Sequence, residues 1–148
     1  MTKWVGDSGV GRPRGPRAIV RAWAEVVGRP GTFFRSNVAP GDQGPGLTFL
    51  AAVVLLAEAV RIALVPGTYP IFGGRPVLSA VVALLVAVVL VAPLGIHLVA
   101  AVQTLLLAMF APDRGGISET VQVLCYASAP CVLAGVPSPW VRSAVVAY

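Results

Sequence analysis

Residues 77–111 read VLSAVVALLVAVVLVAPLGIHLVAAVQTLLLAMFA, a stretch without Asp, Glu, Lys or Arg. As an α-helix it would be roughly 52 Å long, whereas the hydrocarbon core of a bilayer is about 30 Å thick. Pro93 and Gly95 interrupt the stretch, and proline removes a backbone hydrogen bond and clashes with the preceding turn. The sequence therefore predicts either one long helix, kinked near residue 93 and projecting into the cytoplasm, or two short spans. We favour the long helix, because residues 93–96 lack the polar side chains of a solvated turn.

The composition indicates a membrane protein. Of the 148 residues, 57% are hydrophobic and 11% charged, whereas about a quarter of the residues of a soluble domain are charged. This length holds a few membrane spans and a short tail, which excludes a second catalytic domain. The predicted fold is all-α, a polytopic transmembrane helical bundle, with spans at about 47–65, 77–111 and 117–135 and the start of another at 140.

The span at 47–65 carries Glu58 and Arg61, three residues apart and therefore on one helix face. Each charge costs roughly 3 kcal/mol at the centre of a span, so the two charges nearly cancel the apolar gain of this segment. We expect the two side chains to form a structural ion pair that faces protein. An ion path through the membrane is the alternative interpretation.

The span at 117–135 contains more polar side chains than the others. Ser118 is positioned to cap the helix, with Glu119 in its first turn. Gln122 and Tyr126 extend a polar stripe along one face, and Pro130 predicts a kink. Such a helix suits the interior of a bundle, where the stripe meets protein instead of lipid.

The net charge is +5 and most of the basic residues lie before residue 46. They are Lys3, Arg12, Arg14, Arg17, Arg21, Arg29 and Arg35. Because basic residues stay on the cytoplasmic side, we expect a multi-pass protein of the cell membrane with a cytoplasmic N-terminus. The basic residues are not interleaved with stacking aromatics, so we expect no binding to nucleic acid.

Two segments precede the spans, a flexible basic tail at 1–15 and a cytoplasmic segment at 16–46. The second contains an amphipathic helix from Pro16 to Gly28, with Trp23 on its apolar face and arginines opposite. This helix either lies in the membrane interface, with its arginines near anionic headgroups, or packs on the rest of the protein. Phe33 and Phe34 follow, where we expect the chain to meet the bilayer.

No catalytic constellation is evident in the sequence. Ser118 has no neighbouring histidine base, and a proton relay through His97 would need Glu58 beside it. Cys125 and Cys131 match no metal-binding spacing. We therefore expect no enzymatic activity, no cofactor and no metal.

One group of residues resembles the central signature of the Yip domain family, the Ypt/Rab-interacting integral membrane proteins, in its prokaryotic type. These residues are Gly115, Gly116, Glu119, Thr120, Val123, Tyr126, Ala127 and Pro130. The resemblance implies a cytoplasmic N-terminus followed by about five transmembrane helices. The family would continue for about two spans beyond Tyr148, which implies a bundle truncated at its C-terminus.

The leading hypothesis is a non-enzymatic integral membrane protein of the Yip type that organises the membrane or partner proteins. Its partners would be the lipid bilayer and either a protein partner or a second copy in a homo-oligomer. The tyrosine and glycine motifs of the eukaryotic N-terminal region are absent, so we do not expect small-GTPase binding. The alternative is a small transporter or channel component. It would use the four polar groups Glu58, Arg61, His97 and Glu119.

Overall fold

A computed structural model describes residues 15–38, 41–65, 67–110 and 116–147. Residues 1–14 of the predicted flexible tail lie outside these ranges, and so does Gly115 of the signature. The described residues form helices and turns with no strand among them, which confirms the all-α class. The helices are α1 Pro16–Gly28, α2 Pro30–Asn37, α3 Gly44–Leu64, α4 Pro76–Leu85, a π-helix Val86–Val91, α5 Ala92–Ala108, α6 Ile117–Ala127, a 3-10 helix Ala129–Gly135 and α7 Pro139–Ala147.

The segments α4, π-helix and α5 form one long helix, Pro76–Ala108, as predicted. Its irregular part is the π-helix, which ends two residues before Pro93, close to the predicted kink near residue 93. The proline ring conflicts with the carbonyl group four residues earlier, which belongs to Val89. Val89 lies within the π-helix, and the wider π turn absorbs the conflict one turn before the proline.

Two helices, α3 and the long helix, are long and apolar enough to cross a membrane. The number rises to three if α6 and the 3-10 helix, which meet at a bend of 47°, form one span. The long helix has little contact with the rest of the chain, since only 6% of its most apolar window is buried. Its surface is covered with exposed valine and leucine side chains.

The three apolar segments pack side by side. Gly46, near the start of α3, lies against Gln122 and Cys125 of α6, and Gly135 of the 3-10 helix lies against Ala57 of α3. These contacts show that α3 and the bent pair run in the same direction. The long helix packs on both α3 and α6.

The core lies where α3 and α6 meet α2. The ring of Tyr126 is fully buried, with its centroid 4.9 Å from that of Phe33 and 5.2 Å from that of Phe49. Phe33 therefore belongs to the protein core, which corrects the expectation that it meets the bilayer. A second cluster of Leu50, Ala100, Val121 and Cys125 joins α3, α5 and α6.

Helix α1 has the predicted bounds, and its apolar face packs on the rest of the protein. Ala18, Ala22 and Val26 are buried. The indole nitrogen of Trp23 donates a hydrogen bond of 2.8 Å to the carbonyl oxygen of Ala129, at the bend between α6 and the 3-10 helix. Of the two interpretations of α1, the structure shows packing on the protein.

Helix α6 confirms most of its predicted features. Glu119 lies in the first turn, Gln122 and Tyr126 are buried against protein, and the bend lies beside Pro130. The predicted cap was wrong. The N-cap residue is Gly116, which makes no side-chain cap, and the hydroxyl of Ser118 is buried without a hydrogen-bond partner in the described part of the chain.

The helices approach each other very closely at Gly135. A Cβ atom at this position would clash with the carbonyl oxygen of Ala57 and would lie 3.1 Å from the backbone nitrogen of Arg61. Gly46 is also tightly packed, since its Cβ would lie 3.3 Å from the Cβ of Cys125. Small residues allow such approach between apolar helices, which lack a hydrophobic driving force in lipid.

We predict that Gly135→Ala lowers the thermal stability of the purified protein in detergent. The added methyl group meets backbone that must move, and overpacking typically costs about 1 to 3 kcal/mol. Gly95→Ala is the matched control, because nothing lies within 4 Å of a Cβ at this helical position. It should be neutral or slightly stabilising, through higher helix propensity. Equal melting temperatures for the two variants would contradict the close approach.

We also predict that Trp23→Phe destabilises the protein while keeping most of the apolar contact of the ring. The change leaves the Ala129 carbonyl oxygen without its indole donor, and an unsatisfied buried acceptor costs about 1 to 3 kcal/mol. Trp140→Phe is the control, since Trp140 is 85% exposed. The measurement is thermal unfolding in detergent. A loss for Trp140→Phe as large as that for Trp23→Phe would exclude a specific role for the hydrogen bond.

Candidate functional site

Glu58 and Arg61 form an ion pair in the second half of α3. The Nε atom of Arg61 donates a hydrogen bond of 2.9 Å to Oε2 of Glu58, and its Nη2 atom donates to the same oxygen. This confirms the predicted pairing. The shielding is incomplete, because 25% of the Glu58 side chain and 41% of the Arg61 side chain are exposed. The pair lies beside Gly135, whose 3-10 helix covers one side of α3.

His97 lies on α5 and contacts the residue that precedes α3. Its Nδ1 atom lies 2.7 Å from the Pro93 carbonyl oxygen and its Nε2 atom 3.1 Å from Oε1 of Gln43. Because a carbonyl oxygen only accepts, Nδ1 carries a hydrogen. A neutral ring then accepts at Nε2 and requires the amide nitrogen of Gln43 to face it, whereas an imidazolium donates at both nitrogens. The Gln43 amide suits either state by rotating.

The segment before α3 is also joined to α6. The side-chain amide of Gln122 donates to the backbone carbonyl of Asp42, and the Asp42 carboxylate accepts a hydrogen bond of 3.1 Å from the Gly44 backbone nitrogen. Asp42 and Gln43 thus connect the start of α3 to two other helices. We call the four residues Asp42, Gln43, His97 and Gln122 the polar joint.

A third polar contact joins the long helix to α6. The Thr104 hydroxyl donates to the Thr120 hydroxyl at 3.3 Å, and the Thr120 hydroxyl donates to the Gly116 carbonyl oxygen, also at 3.3 Å. Thr104 is half-buried, whereas the neighbouring Gln103 is exposed. Both threonines thus act as contacts between helices.

The signature residues within the described chain occupy positions of different kinds. Gly116 is the N-cap of α6, Glu119 is half-buried in its first turn, and Thr120 contacts the long helix. Tyr126 lies in the aromatic core, and Pro130 is in the first turn of the 3-10 helix at the bend. These residues build and bend α6.

The structure does not bring together His97 and Glu58, the two titratable groups that a proton relay would need. Gln43, the partner of His97, is the N-cap of α3, whereas Glu58 lies in its second half. At about 1.5 Å per residue, positions 43 and 58 are roughly 22 Å apart along the axis of α3. His97 and Glu58 therefore have separate partners at different levels of the helix.

The described residues contain no metal-binding cluster and no disulfide bond. No three His, Cys, Asp or Glu side chains in these ranges could together hold a metal ion. Cys125 is buried and Cys131 exposed, and both are free thiols. What the polar side chains of the site can do is hold helices together, through the hydrogen bonds of the polar joint and of Thr104 with Thr120.

Sequence reasoning missed three residues that make these contacts, namely Trp23, Asp42 and Gln43. Trp23 was assigned to the apolar face of α1, but its indole N–H was not given a partner. Asp42 and Gln43 immediately precede an apolar run, and polar residues at such a boundary commonly satisfy the free backbone groups of a helix start. That position was the available signal.

The fold and these contacts define the class of the protein as all-helical, with two or three apolar segments long enough to cross a membrane. No protein-family model matches the chain, and comparisons with curated proteins and with solved structures give no match.

We predict that Glu58→Leu and Arg61→Leu each lower stability, whereas the double change Glu58→Leu with Arg61→Leu is milder than the sum. Each single change removes hydrogen bonds to a charged partner, which contribute roughly 1.5 to 3 kcal/mol. Replacing both charges by apolar groups can be nearly neutral. Arg75→Leu, an exposed arginine outside the pair, is the control. Thermal unfolding in detergent measures all four, and additive losses would show that the two residues do not interact.

Proposed function

We propose that this protein is a non-enzymatic integral membrane protein of the Yip type that organises the membrane or partner proteins. The proposal rests first on the long helix Pro76–Ala108, of which almost all apolar side chains lie outside the protein core. Exposed apolar area of this size is normal for a surface in contact with lipid and abnormal for a surface in water. Helix α3 also carries exposed apolar side chains along its outer side.

The polar contacts support a role in architecture. His97 and Gln122 bind the segment before α3, and Trp23 binds the bend after α6. Each of these side chains joins two elements that are far apart in sequence. A transport or catalytic site would instead direct several such groups towards one substrate position. Since Glu58 and His97 lie at different levels, we favour the architectural role over the transporter.

The Yip type is supported by the places that the signature residues occupy. Thr120 contacts the long helix, Tyr126 fills the aromatic core, and Pro130 lies at the bend to which α1 is bound. A signature of this kind preserves a bent helix and its contacts, without any chemically reactive group. This agrees with a family of membrane-organising proteins.

The charge distribution supports a cytoplasmic N-terminus in the cell membrane. Residues 16–37, which hold α1 and α2, carry four arginines and one glutamate, whereas the loop between α3 and α4 carries Arg75 alone. Short basic segments remain on the cytoplasmic side. Residues 67–75 then lie on the outer side of the membrane.

We predict that labelling of introduced cysteines will place the N-terminal tail inside the cell and the loop after α3 outside it. In a background in which Cys125 and Cys131 are replaced by alanine, Thr68→Cys should react with an impermeant reagent added to intact cells. Ser8→Cys should react only after the cells are opened. The protein should also resist extraction by alkaline carbonate, as expected for spanning helices. Labelling of the tail but not of the loop in intact cells would show the opposite orientation. Release of the protein by carbonate would contradict its integration into the membrane.

We predict that the purified protein shows no hydrolase, transferase or redox turnover, because its polar side chains are engaged in contacts between helices. The measurement is an activity screen with quantitative metal analysis. Turnover that is lost in His97→Gln or in Glu58→Gln, with the melting temperature unchanged, would sink the non-enzymatic proposal.

A further inference from the structure

Helices α1 and α2 present a strongly basic surface. Their arginines Arg17, Arg21, Arg29 and Arg35 are all exposed. Glu25 is the acidic residue of these helices. It is half-buried and already interacts with another group of the protein. We call the four arginines the basic face.

The apolar face of α1 is not available to lipid. Ala18, Ala22 and Val26 are buried in the protein, and Trp23 is bound to the Ala129 carbonyl oxygen. An interfacial amphipathic helix normally binds by inserting its apolar face into the bilayer. Because that face is occupied, α1 meets its surroundings with Arg17 and Arg21.

The contacts of α2 place the basic face close to one end of α3. Phe33 packs on Tyr126, which packs on Phe49. Phe49 is five residues inside the start of α3 at Gly44, or about 7.5 Å along the axis. As α3 is roughly 32 Å long and the hydrocarbon core about 30 Å thick, Gly44 marks the membrane boundary. Helix α1 packs on the same cluster and also on Val53, about 13.5 Å from Gly44. The long arginine side chains of α1 and α2 extend from there towards the headgroup layer.

We infer that the basic face binds the phosphate groups of anionic lipid headgroups. The inference rests on the proposed function, since it requires α3 to span a bilayer. Arginine presents several N–H donors that match phosphate oxygens, and a basic segment near an anionic membrane surface is attracted to it. The face is fixed to the spanning helices through Trp23 and Phe33. Lipid recognition is therefore built into the fold and uses charge instead of insertion.

The depth of the basic face favours lipid over a soluble polyanion. Helices α1 and α2 lie against the side of the membrane-spanning segments, on Phe49, Val53 and Tyr126, about 7.5 to 14 Å inside the boundary. A nucleic acid or an acidic protein would have to enter the membrane to reach Arg17 and Arg21. Lipid headgroups line the boundary at high local concentration.

The test is lipid titration of the purified full chain in a non-ionic detergent, with the dissociation constant obtained from the thermal shift. Phosphatidylglycerol should bind at least about tenfold more tightly than phosphatidylcholine, and the preference should fall with added salt. Each arginine near an anionic surface contributes roughly fivefold in affinity, so Arg17→Ala with Arg21→Ala should weaken phosphatidylglycerol binding about 25-fold. Arg17→Lys with Arg21→Lys is the matched control and should retain most of the binding.

Soluble glycerol phosphate, added at the same phosphate concentration, should produce no comparable shift. Equal binding of the two lipids, unchanged binding by the double alanine variant, or a full shift with soluble phosphate would each overturn the inference. Both arginines are exposed, so the alanine variant should fold, and its melting temperature without lipid checks this. Carbonate extraction separates the two proposals. An integrated protein without lipid preference contradicts the basic face alone, whereas a protein released by carbonate contradicts the proposed function.

Discussion

The close contact between α3 and the bent pair of α6 and the 3-10 helix is the constraint on which the rest of the structure depends. In lipid, apolar side chains are equally stable against acyl chains and against other helices, so burial alone does not drive helices together. Helices associate instead through close packing and polar contacts. Gly46 and Gly135 permit that packing at the two ends of the contact, and Tyr126 fills the space between them. A side chain at Gly135 would separate α3 from the 3-10 helix at the level of the Glu58–Arg61 pair.

The bend in this pair creates the attachment point for the N-terminal helices. Pro130 lacks a backbone N–H, and the 3-10 helix that follows satisfies the backbone less well than an α-helix. The carbonyl oxygen of Ala129 accepts from Trp23 at this bend, and the aromatic contacts of Phe33 fasten α2 beside it. The bend and the docking of α1 thus lie at the same place. The basic face owes its fixed position to this arrangement.

Local patterns in the sequence predicted the helices and much of their length. Apolar runs and the 3.6-residue period gave α1, α3, the long helix and α6, and the i,i+3 spacing gave the Glu58–Arg61 pair. The same patterns could not find α2, because its eight residues have mixed polarity and its stability comes from Phe33 in the core.

The candidate site was less predictable than the fold, because its contacts join residues far apart in the chain. Trp23 and Ala129 are separated by 106 positions, and Gln43 and His97 by 54. A sequence shows that each of these groups is polar and near an apolar run, but not which partner it meets. The Ser118 cap failed for a related reason. A hydroxyl in the first turn suits a cap by local rules, whereas in the fold the N-cap is Gly116.

The length of the long helix explains why the polar joint lies where it does. At about 1.5 Å per residue its 33 residues extend roughly 50 Å, and a tilt of 40° still leaves about 38 Å along the membrane normal. The helix is thus longer than the hydrocarbon core under any ordinary tilt. From Pro76 to His97 it extends about 32 Å, which matches the core and ends level with the start of α3, where Gln43 contacts His97. In the proposed membrane placement, the residues after His97 lie beyond the core. Asp42, Gln43 and Gln122 then meet at this boundary, so these contacts between helices carry less desolvation cost than they would have deeper in the membrane.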